Sequence, residues 1–193
     1  MGETDQLKNF ITAIYPLPAL EMEAFLSIWQ PFQAKRKTLL TRAGEKERHL
    51  YFVMEGIQRV FYTGDDGRDA TILFTYPPSF SGVADSFLTQ TNSRFFCETL
   101  TPSVFLKTDF NQLDSLMMRY HEIERMIRLL TNHAFSGVLH RIVETQCFTA
   151  EEKRLHSHTC PLKTATQRTK AKLWIAEGGG IDGQPRGIYA SYV

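Results

Sequence analysis

Between Gly44 and Thr71 the chain alternates short apolar runs with tight-turn residues, a spacing that no continuous helix accommodates. Leu50-Tyr51-Phe52-Val53-Met54 leads into Glu55-Gly56, then Arg59-Val60-Phe61-Tyr62, then Gly64-Asp65-Asp66-Gly67-Arg68-Asp69. Runs rich in aromatic and β-branched side chains read as strands, and the Gly and Asp clusters as the corners between them. Glycine reaches positive φ at such corners, so consecutive strands fold back antiparallel. The expectation is an antiparallel β-roll, a jelly-roll-like sheet curled on itself.

Size and charge limit what surrounds this roll. The 193 residues hold one domain of ordinary size plus a small one, and the 42% hydrophobic fraction supports a core. The net charge of +1 makes the whole molecule a poor attractor of polyanions, so any nucleic-acid surface must be local. No stretch reaches the roughly 18 apolar residues of a membrane span. The acidic start, Glu3-Thr4-Asp5, is unlike a signal peptide. Cys97, Cys147 and Cys160 are few, odd in number and far apart, which predicts free thiols in a reducing cytoplasm.

The periodicity changes twice along the chain. Leu7, Phe10, Ile11 and Ile14 recur at helical spacing, as do Leu20, Ala24, Phe25 and Ile28 after Pro16 and Pro18. From Phe32 to Lys107 the pattern is that of strands, clearest at Phe61-Tyr62, Ile72-Leu73-Phe74, Phe95-Phe96-Cys97 and Val104-Phe105-Leu106. Thr108 or Asp109 would cap a short helix over 110–118. A long helix without proline follows from about His121 to Cys147, and Thr149 with Glu152 fits the capping box of another. On the long helix Ile123, Ile127, Leu130, Ala134 and Val138 form an a/d-like seam. Two arrangements suit it: packing on its own domain, or an additional apolar face against a second copy.

The spacing G-E-x4-L-Y-F-V-x-E-G-x2-R-V-F-Y-x4-G-R resembles the cyclic-nucleotide-binding roll of Crp/Fnr-type bacterial regulators. The resemblance implies an α+β chain in three parts. These are helices and roll at 1–118, a dimerisation helix at 119–148, and a small helix-turn-helix-like DNA-binding region at 149–193. In the long helix it implies a homodimer interface at Ile123, Ile127, Leu130, Ala134 and Val138.

A cyclic nucleotide calls for an Arg on its phosphate, an acid on its 2′-OH and backbone N–H groups from a glycine turn. In the matching segment Gly82 fits the glycine, Val83 stands where the acid would be, Ser93 stands at the arginine position and Arg94 comes one residue late. A one-residue slip in a strand turns a side chain to the other face. Gly82, Val83, Asp85, Ser93 and Arg94 are thus the candidate ligand site, for an unidentified small-molecule effector rather than ordinary cyclic AMP.

At the C-terminal end six Lys or Arg and no acid lie between Lys153 and Lys172. Residues 173–182 are similar to the turn of a helix-turn-helix, although Gly179 replaces its buried Leu and Ile188 its usual arginine. The resemblance implies promoter DNA as a partner, with Lys170, Lys172, Gln184 and Arg186 as contacts. No cofactor is expected. His156, His158 and Cys160 read as a solvated loop rather than a metal site. With no P-loop, G-x-S-x-G or Rossmann fingerprint, the chain reads as a regulator rather than an enzyme. A dimeric sensor module that does not bind DNA is the alternative.

Overall fold

The structure, a computed structural model, describes residues 4–147. Lys170, Lys172, Gln184, Arg186, the His156–Cys160 segment and the region 149–193 therefore lie outside the described residues.

Among the described residues eight strands make two four-stranded antiparallel sheets. They are β1 (Gln30–Ala34), β2 (Leu39–Thr41), β3 (His49–Glu55), β4 (Gln58–Thr63), β5 (Asp69–Thr75), β6 (Ser79–Ser81), β7 (Phe96–Thr99) and β8 (Ser103–Asp109). One sheet runs β1-β8-β3-β6 and the other β2-β7-β4-β5, so each strand pair is shared out between opposing sheets. This is the expected β-roll, with jelly-roll strand order. The Glu55-Gly56 corner joins β3 in the first sheet to β4 in the second.

The strand period divides two cores. Along β3, Phe52 faces outward to the helices, while Tyr51 and Val53 face the roll interior, where they meet Phe105, Phe32 and Leu40. The outward core is larger. It gathers Phe52, Leu106 and Phe87 with residues from helices α1 (Asp5–Ile14), α2 (Ala19–Ser27), α4 (Phe110–Arg119) and α5 (His121–Cys147). Phe10 lies 5.4 Å from Phe52 and 5.7 Å from Phe80, ring centre to ring centre, at tilted and edge-on angles that favour aromatic pairs. Asp109 caps α4, accepting from the Gln112 amide at 3.0 Å. A short helix α3 (Ala84–Thr89) also forms inside the region read as strands.

The long helix spans 27 residues, about 40 Å at 1.5 Å per residue. Here the structure corrects the sequence reading. Ile123, Ile127 and Leu130 are buried in the chain's own core with Met126, so they are not available to a partner. Ala134 and Val138 continue on the same side of the helix and are half-buried. The exposed apolar residues are Phe135, Leu139, Ile142 and Val143, between 45% and 60% accessible. At 100° per residue they sit roughly 150° around the helix from the buried seam.

The roll interior is unusually polar. Gln58, Thr75, Ser81, Thr99 and Ser103 are all buried. Gln58 Nε2 donates to Ser103 Oγ at 2.9 Å, and the Thr75 hydroxyl bridges Gln58 Oε1 (3.0 Å) and Ser81 Oγ (2.9 Å). The Gln58–Ser103 and Thr75–Ser81 bonds run between the two sheets, and the Thr75–Gln58 bond ties them together within one. They fix the sheets to each other through directional contacts where a greasy core would slide.

Candidate functional site

The candidate site lies where β6 ends and α3 begins. Gly82 has φ +122°, a value that side-chain-bearing residues avoid. A Cβ there would come 3.4 Å from the His49 carbonyl oxygen and 3.5 Å from Glu47 Oε2. Those are ordinary contact distances, so it is the positive φ, not a lack of room, that calls for glycine at this corner. Val83 is buried, packing with Val60 and Cys97 in the interior.

Of the five residues read from sequence, Gly82 and Val83 form the turn and Ser93 is buried. Asp85 and Arg94 are solvent-exposed. Ser93 is spent on its own loop. Its hydroxyl donates to the Phe95 carbonyl (2.8 Å) and accepts from the Phe95 amide (3.0 Å). Its backbone is tied at 2.8 Å to the Gly44 amide and to the Glu45 carbonyl.

Sequence reasoning passed over Glu47, and the structure places it at the centre of the site. Glu47 is 2% exposed. Its carboxylate accepts from the Thr41 hydroxyl, the His49 amide (3.1 Å) and the Val83 amide (3.4 Å). Its own amide donates to Ser86 Oγ at 2.9 Å, and its carbonyl accepts from Gln90 Nε2. One loop residue thus pins the β2–β3 connection to α3. Burial pushes the Glu47 carboxyl above its usual range, and the donated hydrogen bonds offset only part of that. A signal existed: counting back in twos from Val53 and Tyr51 through His49 puts Glu47 on the interior face.

The neighbouring groups are neutral at ordinary pH. The Cys97 thiol is fully buried and pushed up to about 12 by that burial, with Glu47 and Glu98 adding to the effect and the Ser81 hydroxyl and Gly82 amide opposing it. Burial, with Glu47 and Cys97, also raises the Tyr51 hydroxyl. Burial lowers His49, helped by Lys107 and Arg48 and opposed by Asp109. Among the described residues no group of three or more His, Cys, Asp or Glu could hold a metal ion. Among them, too, no helix is long and apolar enough to cross a membrane.

Residues 31–120 match the cyclic nucleotide-binding domain family. No curated protein sequence is detectably similar to the chain. Among solved structures, the catabolite activator protein of Thermus thermophilus aligns with a TM-score of 0.55 at 19% identity, over 67% of this chain and 61% of that one. A cyclic nucleotide-binding domain from Methylobacillus flagellatus aligns at 0.64 and 16%, over 76% and 85%. The c-di-GMP responsive global regulator CLP of Xanthomonas campestris aligns at 0.59 and 16%, over 77% and 74%. This chain thus spans less than two thirds of the Thermus protein. The roll is of the cyclic-nucleotide-binding type found in Crp/Fnr-type regulators.

Proposed function

We propose that the chain is a Crp/Fnr-like, DNA-binding transcription regulator of the cytoplasm, with no catalytic activity of its own. Its roll senses a small molecule other than ordinary cyclic AMP and signals through α5 to a second copy. One observation carries this reading. Beyond the residues that anchor it, α5 presents Phe135, Leu139 and Val143 on a face turned away from the chain's own core. A second copy of the same helix would cover that stripe, with Val138 at its margin.

The mechanism is a population shift. Occupancy of the roll biases how two α5 helices pack, and that packing sets the spacing of two DNA-reading elements on adjacent half-sites. Lys170, Lys172, Gln184 and Arg186 are the proposed DNA contacts. The regulators of Thermus thermophilus and Xanthomonas campestris that share the fold support this assignment.

Binding to the DNA upstream of the chain's own coding sequence, read by gel shift at several salt concentrations, tests it. Salt-sensitive binding that Lys170→Ala/Lys172→Ala weakens is the expected result. The second reading, a dimeric sensor that binds no DNA, is favoured by the run Gly178-Gly179-Gly180 where a recognition motif needs a rigid turn. A dimer with no DNA affinity at low salt would select it.

A further inference from the structure

The polar groups that would greet an anion at the Gly82 turn are already taken, and by this chain. The Val83 amide points to Glu47 Oε2. The Cys97 sulfur beside the turn is itself in contact with the Ser81 hydroxyl at 3.8 Å. Ser93, on the other side of the loop, has both its hydroxyl and its amide engaged. The two charged residues of the segment that could meet an outside ligand, Asp85 and Arg94, are exposed to solvent. An enclosed carboxylate with three donors around it has most of its acceptor sites used, and its burial shuts it off from a ligand hydroxyl.

We propose that the Glu47 carboxyl group is the built-in occupant of the Gly82 turn, and that it bars phosphate-bearing ligands from the site. This inference rests on the reading of the roll as an effector domain and narrows the effector to one without a phosphate at that turn. The exclusion has two parts. The carboxyl group fills the space and uses the Val83 N–H that a phosphate oxygen would need. When ionised it also repels an incoming anion: two like charges about 4 Å apart in a partly shielded site weaken affinity by about a thousandfold. Thr41 and the His49 amide hold the carboxyl group while Ser86 holds the Glu47 backbone amide, so the side chain has little freedom to swing out.

Titration calorimetry with cyclic AMP on the full chain tests the proposal. The wild type is expected to give no binding heat at millimolar nucleotide. Glu47→Ala frees the amide and is expected to gain at least about tenfold in affinity. Glu47→Gln keeps the shape and the Thr41 contact but removes the charge, and it serves if the alanine variant does not fold by circular dichroism. Tight wild-type binding that Glu47→Gln weakens would overturn the proposal, because Glu47 would then be a ligand group. Folded variants that bind no better than the wild type would overturn it too. Promoter-DNA binding by the same wild-type sample reads the regulator proposal separately.

Discussion

Gly56 turns β3 into β4 with φ +97° and its backbone against the start of β8. A Cβ there would overlap Ser103 Oγ and come within 2.7 Å of the Pro102 carbonyl oxygen. Left-handed strain and overlap with backbone add, so Gly56→Ala should cost about 3 kcal/mol. Urea unfolding measures it, and a loss below about 1 kcal/mol would show that the corner relaxes. Glu47 makes a prediction of opposite flavour. Its folded pKa is raised, so the native state holds the proton more tightly than the unfolded chain. The stability this gives is complete below the ordinary glutamate range and is lost as pH rises through the raised value. Relative to Glu47→Gln, the wild type should therefore lose ground as pH climbs from about 4. A flat difference across that range would mean that Glu47 is solvated after all. At this scale the sequence was half legible. Gly82 showed itself by its place between strand and helix. Glu47 hid in a run of charges at 45–48 whose other members are exposed, and only the strand period separates it from them.

Helix α5 has one face buried in the chain's own core and one exposed, and each face predicts a different mutant. Ile127 sits in the core between helices and roll, 7% exposed. Ile127→Ala removes three buried carbons and should cost about 3 kcal/mol of stability. Leu139 is 46% exposed on the far side, so Leu139→Asp should leave the unfolding midpoint of the isolated chain within about 0.5 kcal/mol of the wild type's. It should instead convert a dimer to a monomer in multi-angle light scattering. A dimer that survives Leu139→Asp would place the interface elsewhere. Both C-terminal helices were plain in the sequence, α4 from its cap at Asp109 and α5 as the proline-free run ending at Cys147. The faces of α5 were not. A heptad seam looks the same whether it meets its own roll or another chain, and the choice depends on where the roll ends, which no local pattern states. Tertiary contact likewise made α3 helical inside a stretch of turn residues, where Ser86 and Gln90 bind the Glu47 loop.

At the scale of the whole molecule, roll and helices share one apolar core, which gives the proposed signal a path from the roll to α5 through packed side chains. Phe52 of β3 and Met126 of α5 belong to the same cluster. The Tyr15 hydroxyl donates to Glu122 at the root of α5, with the Arg125 guanidinium 5.8 Å from the Tyr15 ring centre. Close packing of this kind transmits displacement instead of absorbing it. On the proposed function both copies are needed to read DNA, because two half-sites must be engaged together for useful affinity. Leu139→Asp should therefore abolish promoter binding while leaving each chain folded. Lys170→Ala/Lys172→Ala should leave the dimer intact. If both lysines of both copies contact phosphate, it should flatten the slope of log affinity against log salt by about 3.6. The two variants separate assembly from contact. Were the monomeric Leu139→Asp chain to bind promoter DNA as tightly as the wild type, the paired helix would have no part in reading DNA, and the signal would have to leave the roll by another route.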